Sequence, residues 1–285
     1  MGAAAWQTLG GVPPRALVDA RLQLHHAAQW VAAAGASLLE AVPDDSHPNF
    51  GWEAGRAALM GREIPGPAPF RVGLSFADRA LLVLGVEGDV RDAFALDGRT
   101  LADVSAWLED AVLGTGAALP EGGISPPGYA LPAHPIAQGA AFTADAAACA
   151  ELARWFSDAD AVLGDLVPRL EGAGEARIWP HHFDLGTLAA LERAADGSLR
   201  KSIGVGLSPG DDSVPEPYWY VSPWPYPDPA ELPGLADGGV WHHQGYVAAV
   251  LTGSRLVDGA ATSQPKRLED FLAEAILACE DALRR

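Results

Sequence analysis

Two apolar runs in the first half of the chain lie only three residues apart. Arg71–Phe76 and Ala80–Leu84 flank Ala77-Asp78-Arg79, a separation typical of a β-hairpin. A parallel pair of strands would need a crossover connection of a dozen or more residues. Most other strand-like runs are also joined by connections too short for a helix. The chain is therefore predicted to form mainly antiparallel sheets.

Helical periodicity surrounds these runs and divides the chain into two halves. Helices are predicted at Leu17–Val42, Leu101–Leu113, Thr143–Leu166 and Leu268–Leu283, with Thr143 as an N-cap. Strands are predicted at Gly51–Ile64, Phe70–Leu84, Arg177–Leu185, Ser202–Leu207, Tyr218–Pro223 and Trp241–Leu251. A Gly/Pro-rich run from Gly114 to Pro135 shows no periodicity and is interpreted as a linker.

This order predicts an α+β fold with two similar-sized parts, each a mainly antiparallel sheet covered by helices. The expected parts are residues 1–115 and 173–285, joined by residues 116–172. Each half opens with a segment carrying a His-His pair, continues with strands and closes with a helix. A diverged duplication would give this order, and so would an ordinary α+β protein. The pair His25-His26 lies within the first helix and is interpreted as a structural or surface feature.

Composition narrows the classes of partner and compartment. The chain has 37 acidic and 19 basic residues and a formal charge of −18 at pH 7. Such a charge argues against a nucleic-acid partner and against anionic membrane surfaces, because both are bound through Lys and Arg. Cys149 and Cys279 lie in Ala-rich, helix-like segments, and no apolar run reaches the roughly 20 residues that span a bilayer. We therefore expect reduced thiols and a cytoplasmic location; the oligomeric state stays open.

Ionisable and aromatic residues concentrate between Arg177 and Pro227. If Arg177–Leu185 is one strand, alternation places His182 and Asp184 side by side on the same face. An imidazole beside a carboxylate suits acid–base catalysis. The same pair would equally serve to stabilise the strand through a hydrogen bond. Both interpretations stay open.

A divalent metal is a further possibility for this pair. His-x-Asp is the strand spacing of the two-His-one-carboxylate site for Fe(II), which needs a second histidine from a distant element. His242 or His243 could supply it if the strand Trp241–Leu251 lies beside Arg177–Leu185. The candidate metal ligands are thus His182, Asp184 and His242.

Two flanking groups complete the predicted pocket. Asp211 and Asp212 lie in a turn and are expected at its rim, where they would bind a ligand or simply shape the turn. Tyr218 and Tyr220 share a face of their strand, and with Trp224 they are expected to form an aromatic wall.

The stretch from about residue 177 to 227 resembles a family of uncharacterised bacterial proteins that is abundant in actinobacteria. The resemblance is carried by Trp179-Pro180-x-His182-Phe183-Asp184-Leu185, Ser208-Pro209-Gly210-Asp211 and Glu216-Pro217-Tyr218-x-Tyr220-Val221-x-Pro223-Trp224. It implies a shared fold and pocket, and it implies no activity.

The leading hypothesis is a protein that binds a small molecule in a polar, aromatic-walled pocket around His182 and Asp184, and whether it also acts on that molecule as an enzyme stays open. One alternative is a non-catalytic scaffold or interaction protein in which these residues are structural. A second alternative is a metal-dependent enzyme that uses His182, Asp184 and His242.

Overall fold

The computed structural model describes residues 6–236 and 238–285, which divide into two compact units. The N-terminal unit comprises Leu17–Ala153 and Arg177–Phe183. The C-terminal unit comprises 6–16, Arg154–Ala176, 184–236 and 238–285. This confirms an α+β fold of two similar-sized parts with antiparallel sheets. The unit boundaries differ from those expected, because the N-terminal unit takes in most of the predicted linker and the segment 177–183.

The N-terminal unit is built on a sheet of consecutive strands. Its elements are α1 (Val18–Leu38), β1 (Gly51–Glu53), β2 (Ala58–Met60), β3 (Phe70–Ser75), β4 (Ala80–Gly85), β5 (Val90–Ala95), α2 (Leu101–Gly114), the first part of α3 (Ala146–Leu166) and β6 (Arg177–Trp179). Strands β1 to β5 lie side by side in sequence order, and each is antiparallel to the next. The predicted β3–β4 hairpin is confirmed.

Helix α1 covers one face of this sheet along β3. Leu59, Leu74 and Leu81 are cross-strand partners on β2, β3 and β4, and all three are fully buried. Helix α2 lies over β5, where the ring of Trp107 stacks on that of Phe94 at 5.3 Å. The alternate residues of β2 and β4 point to the other face, which is also buried: Ala58, Met60, Ala80, Leu82 and Leu84 form a second core cluster there.

The helix boundaries follow capping chemistry. Thr100 and Asp103 form a reciprocal capping box at the start of α2, as expected for a threonine three residues before an acid. Helix α3 begins later than predicted, because Asp145 accepts a hydrogen bond from the amide of Ala148 at 2.8 Å. The predicted N-cap Thr143 instead donates its own amide to the Gln23 side chain.

The C-terminal unit contains the rest of α3 and a second sheet. Its further elements are β7 (Asp184–Arg193), β8 (Leu199–Ser208), β9 (Tyr218–Trp224), β10 (Val240–His242), β11 (Ala248–Thr252), α4 (Gly253–Leu256) and α5 (Gln264–Arg284). These strands lie in the order β10-β11-β9-β8-β7, all antiparallel. The predicted strand Trp241–Leu251 is therefore two strands joined by a turn.

Helix α5 covers the face of this sheet that carries Trp219 and Val221. The thiol of Cys279 approaches the carbonyl oxygen of Val221 at 3.8 Å. Tyr218 and Tyr220 lie on the opposite face, as alternation predicts. None of the helices in the described part of the chain is long and apolar enough to cross a membrane.

Candidate functional site

The prediction of one continuous strand over Arg177–Leu185 is wrong in the middle of that segment. Strand β6 ends at Trp179, and the amide of Phe183 donates to the Trp179 carbonyl at 2.7 Å, which closes a turn. Pro180 has no N–H to continue a strand ladder, and Phe183 has φ +59°, a left-handed conformation that is costly for a bulky residue. We call this segment the 179–183 turn. It removes the alternation that placed His182 and Asp184 side by side.

Helix α1 holds the 179–183 turn through its carbonyl at Pro180. That oxygen accepts hydrogen bonds from His25 Nε2 at 2.8 Å and from Gln29 Nε2 at 2.9 Å. Burial lowers the pKa of His25 to about 4, and nearby His26 and Arg21 act in the same direction. His25 is therefore neutral at pH 7 and carries its proton on Nε2, since its partner is an acceptor. The interpretation of this histidine as structural agrees with these contacts.

An aromatic cavity of about 350 Å³ lies beside this turn within the N-terminal unit. Its lining comes from the end of α1, the loop that follows, the irregular segment before α3 and the turn itself: Ala36, Asp45, His47, Pro48, Pro127, Tyr129, Trp179, Pro180 and His181. The loop approaches α1 closely because residue 35 is glycine. A Cβ at Gly35 would lie 3.0 Å from the carbonyl oxygen of His47.

The rings that line the aromatic cavity are held in a network. The hydroxyl of Tyr129 donates to Gln29 Oε1 at 2.5 Å, so one glutamine connects α1, Tyr129 and the turn. The ring of His181 meets that of Tyr129 edge-on at 5.8 Å and that of Trp179 at 6.2 Å. These contacts preorganise the walls.

Two histidines, His47 and His181, are part of the lining. Burial, and then the neighbouring His182, lower the pKa of His181, so its ring is neutral at pH 7. The Nδ1 atom of His47 is buried and has no hydrogen-bond partner among the described residues.

The predicted catalytic pair is divided between the two units. His182 belongs to the N-terminal unit, is exposed, and lies against the ring of His181 at 4.2 Å. Asp184 begins β7 in the C-terminal unit, where its Oδ2 accepts a hydrogen bond from the hydroxyl of Tyr220 at 2.5 Å. Burial and the Asp184 carboxylate raise the pKa of Tyr220 well above 10, so the phenol remains a donor.

The side chain of Tyr220 reaches Asp184 by lying across two glycines, one on β8 and one on β7. Gly186, Gly206 and Tyr220 are successive cross-strand partners on β7, β8 and β9. A Cβ at Gly206 would lie 2.6 Å from the Tyr220 hydroxyl, and one at Gly186 would lie 2.5 Å from it. The two glycines are therefore required for the tyrosine to lie across the sheet.

Asp211 and Tyr218 form a second such pair. The Tyr218 hydroxyl donates to Asp211 Oδ2 at 2.5 Å and lies 3.3 Å from the hydroxyl of Tyr246. The other carboxylate oxygen of Asp211 accepts from the amides of Ser213 and Val214. These bonds stabilise the turn between β8 and β9.

The other two predicted ligand-binding residues lie at the surface. Asp212 is exposed in the turn, and Trp224 is 48% exposed at the far end of β9, edge-on to Tyr226 at 5.1 Å. The structure therefore brings Tyr218 and Tyr220 together, with ring centroids 6.3 Å apart, but leaves Trp224 out of that wall.

The arrangement required for a metal site with His242 does not form. His242 lies on β10, and three strands separate β10 from β7 and Asp184. Its Nε2 bonds to the carbonyl oxygen of Gln244 at 2.8 Å, and its ring lies against Tyr246 at 4.3 Å. Among residues 6–236 and 238–285, no group of three or more His, Cys, Asp and Glu side chains is arranged to hold a metal ion.

Sequence reasoning missed His47 and Tyr129, which lie far from the motif-rich stretch. The one feature that could have indicated these two residues is their position, since each lies in a Pro-containing segment that is neither helix nor strand.

Comparison with known proteins gives no relative. No protein-family model, curated protein or solved structure matches the chain.

Proposed function

We propose that the N-terminal unit binds a small molecule with a flat ring in the aromatic cavity. One observation carries the proposal: tryptophan, tyrosine and imidazole side chains from separate segments of the unit line a single cavity. Its volume of about 350 Å³ falls within the range of small-molecule sites.

The lining indicates the chemistry of the ligand. Trp179 and Tyr129 offer ring faces, and Pro48, Pro127 and Pro180 add apolar surface. His181 can pair with a donor or an acceptor on the ligand, because its neutral imidazole has one nitrogen of each kind. A neutral heteroaromatic compound with polar atoms on its edge matches this combination best.

This proposal keeps small-molecule binding but moves the pocket. The predicted pocket centred on His182 and Asp184, whereas the proposed site uses His181 and residues of the first half of the chain. The tyrosine–aspartate pairs of the C-terminal unit favour a structural role for Asp184 and Asp211, since Tyr220 and Tyr218 already donate to them. We propose no catalytic role for those carboxylates.

We also propose that the protein functions in the cytoplasm. Cys149 and Cys279 are both buried free thiols, and burial raises the pKa of Cys149 to about 11 and that of Cys279 to about 12. Unpaired, protonated thiols are typical of proteins from reducing compartments.

The test is ligand-observed NMR with a set of neutral heteroaromatic fragments, including indole, benzimidazole and adenine. We expect saturation transfer to at least one of them in the wild-type protein. His47→Ala and His181→Ala should abolish the transfer, because they remove the polar partners while leaving the other walls in place. His243→Ala, which changes an exposed histidine of the C-terminal unit, is the matched control and should behave as wild type.

Circular dichroism of each variant would establish that it is folded. Absence of transfer from every fragment would contradict the proposal. Equal transfer in the wild type and both cavity variants would contradict it as well, since binding would then lie elsewhere.

A further inference from the structure

Asp45 is part of the lining of the aromatic cavity. Among the residues that the structure describes, no other acid and no lysine or arginine lines this cavity. Asp45 lies in the loop after α1 and is exposed, which places it where the cavity meets solvent. Because an aspartate side chain is short, its carboxylate lies close to the part of the lining that the residue forms. A ligand in the cavity therefore meets one carboxylate and no strongly basic side chain.

Local hydrogen bonds hold the loop that carries Asp45. The amide of Asp45 donates to the carbonyl oxygen of Val42 at 3.0 Å, and the amide of Ser46 donates to Asp44 Oδ1 at 3.1 Å. Asp45 has φ +51°, a left-handed conformation that aspartate adopts more readily than most residues. The loop thus sets the position of Asp45 beside the cavity before a ligand binds.

The carboxylate of Asp45 is available to a ligand. It forms no ion pair and accepts no hydrogen bond from any residue that the structure describes. The adjacent acid differs, since Asp44 already accepts a hydrogen bond from the amide of Ser46. Arg62 contacts the same loop through Asn49, to which its Nε donates at 3.1 Å, and it lies outside the lining of the cavity.

The rings that line the cavity favour the same sign of charge in the ligand. The faces of tryptophan and tyrosine rings carry partial negative charge and attract cations. Trp179 and Tyr129 are both part of the lining. The neutral imidazole of His181 adds no positive charge at pH 7. The formal charge of the whole chain, −18, also attracts a cation to the surface on which the cavity opens.

We propose that the ligand of the aromatic cavity carries a protonated amine beside its ring, as an arylalkylamine does, and that Asp45 selects this amine. The inference rests on the proposed function, because it assigns a substituent to the neutral ring placed in the same cavity. The ring packs among Trp179, Tyr129 and His181. The ammonium group, held on a short alkyl chain, lies at the mouth of the cavity and donates charge-assisted hydrogen bonds to the Asp45 carboxylate.

Calorimetric titration with tryptamine, tryptophol and indole-3-propionate tests this, because these compounds share one ring and are cationic, neutral and anionic at pH 7. At low ionic strength we expect the wild type to bind tryptamine about threefold to fivefold more tightly than tryptophol, the gain from one exposed charge pair. Indole-3-propionate should bind more weakly than tryptophol, because Asp45 repels it. Sodium chloride at about 0.5 M should reduce both differences, since salt screens exposed charges.

Asp45→Asn removes the charge and keeps the shape of the side chain. This variant should bind tryptamine and tryptophol equally, and its affinity for tryptophol should equal that of the wild type, which also shows that the cavity is intact. Asp44→Asn is the matched control, since Asp44 is the adjacent acid and lies outside the lining. An asparagine there can still accept the hydrogen bond from the Ser46 amide, so the preference for tryptamine should remain.

The results separate this inference from the proposed function. Equal binding of tryptamine and tryptophol by the wild type would overturn selection by Asp45 and leave the ring site standing. A preference for tryptamine that survives in Asp45→Asn, or is lost equally in Asp44→Asn, would overturn it as well. Absence of binding by all three compounds would overturn this inference, and would contradict the proposed function too if the neutral fragments also fail to bind.

Discussion

The imidazole of His25 lies almost parallel to the ring of Phe183, with centroids 4.9 Å apart and planes 3° from parallel. This contact joins helix α1 to the one residue of the 179–183 turn that has a left-handed backbone. Phe183 is 1% exposed, and its ring also contacts that of Phe76 at 5.9 Å. Burial of the ring stabilises a backbone conformation that would otherwise be unfavourable.

The first prediction concerns pH and His25. Its pKa in the folded protein is about 4, below the ordinary value of 6.5, so the unfolded chain binds more protons between these values. Neutral His25 therefore contributes to the free energy of unfolding in full above pH 6.5. This contribution, roughly 3 kcal/mol at most, is lost as the pH falls from about 6.5 to about 4. In urea titrations across this range, His25→Gln should show a correspondingly flatter profile than wild type.

The exposed His243 supplies the control for this measurement. His243→Gln should keep the wild-type pH profile. Identical profiles for His25→Gln and wild type would mean that His25 is not the group that titrates.

The second prediction concerns the bond between Tyr220 and Asp184. Tyr220→Phe removes the hydroxyl that donates to the Asp184 carboxylate, so the free energy of unfolding should fall by about 1–3 kcal/mol. Chemical denaturation at pH 7 measures this. Tyr226→Phe, at a tyrosine that is 46% exposed, should change it by less than about 0.5 kcal/mol.

A double-mutant cycle with Asp184→Asn tests whether the two residues act together. We expect the double variant to lose less stability than the sum of the single variants, since both remove the same bond. Strict additivity would argue against a direct interaction.

The third prediction compares two glycines of β8. A Cβ at Gly206 would lie 2.6 Å from both the Leu185 carbonyl oxygen and the Tyr220 hydroxyl, so Gly206→Ala should cost about 1–3 kcal/mol. At Gly204 the nearest atoms would lie 3.9 Å away, an ordinary contact, and Gly204→Ala should cost less than about 0.5 kcal/mol. Comparable losses in thermal unfolding would show that Tyr220 does not cross the sheet at residue 206.

Local patterns predicted the elements well. The three residues between Phe76 and Ala80 identified the β3–β4 hairpin, and the periodicity of Leu101–Leu113 identified α2 to within a residue. Most of β7 was missed, since only Asp184 and Leu185 lay within a predicted strand, and strand β5 was missed entirely. Five of its six residues are exposed, so its sequence lacks the buried alternation by which strands are recognised.

The site was predicted less well, because its residues come from distant parts of the chain. Trp179 and His181 were within the stretch singled out from the sequence, but His47 and Tyr129 reach the aromatic cavity only through contacts with α1.

The sequence by itself determined the class of fold, since hairpin spacing and helical periodicity are local properties that short-range sterics and hydrogen bonding enforce. Only the tertiary structure decided where the 179–183 segment turns. In a continuous strand the ring of Phe183 would not stack on that of His25. The free energy gained by burying the Phe183 ring outweighs the local preference for an extended backbone. His182 and Asp184 consequently belong to different units. The residues that line the aromatic cavity are held around the turn by their contacts with α1.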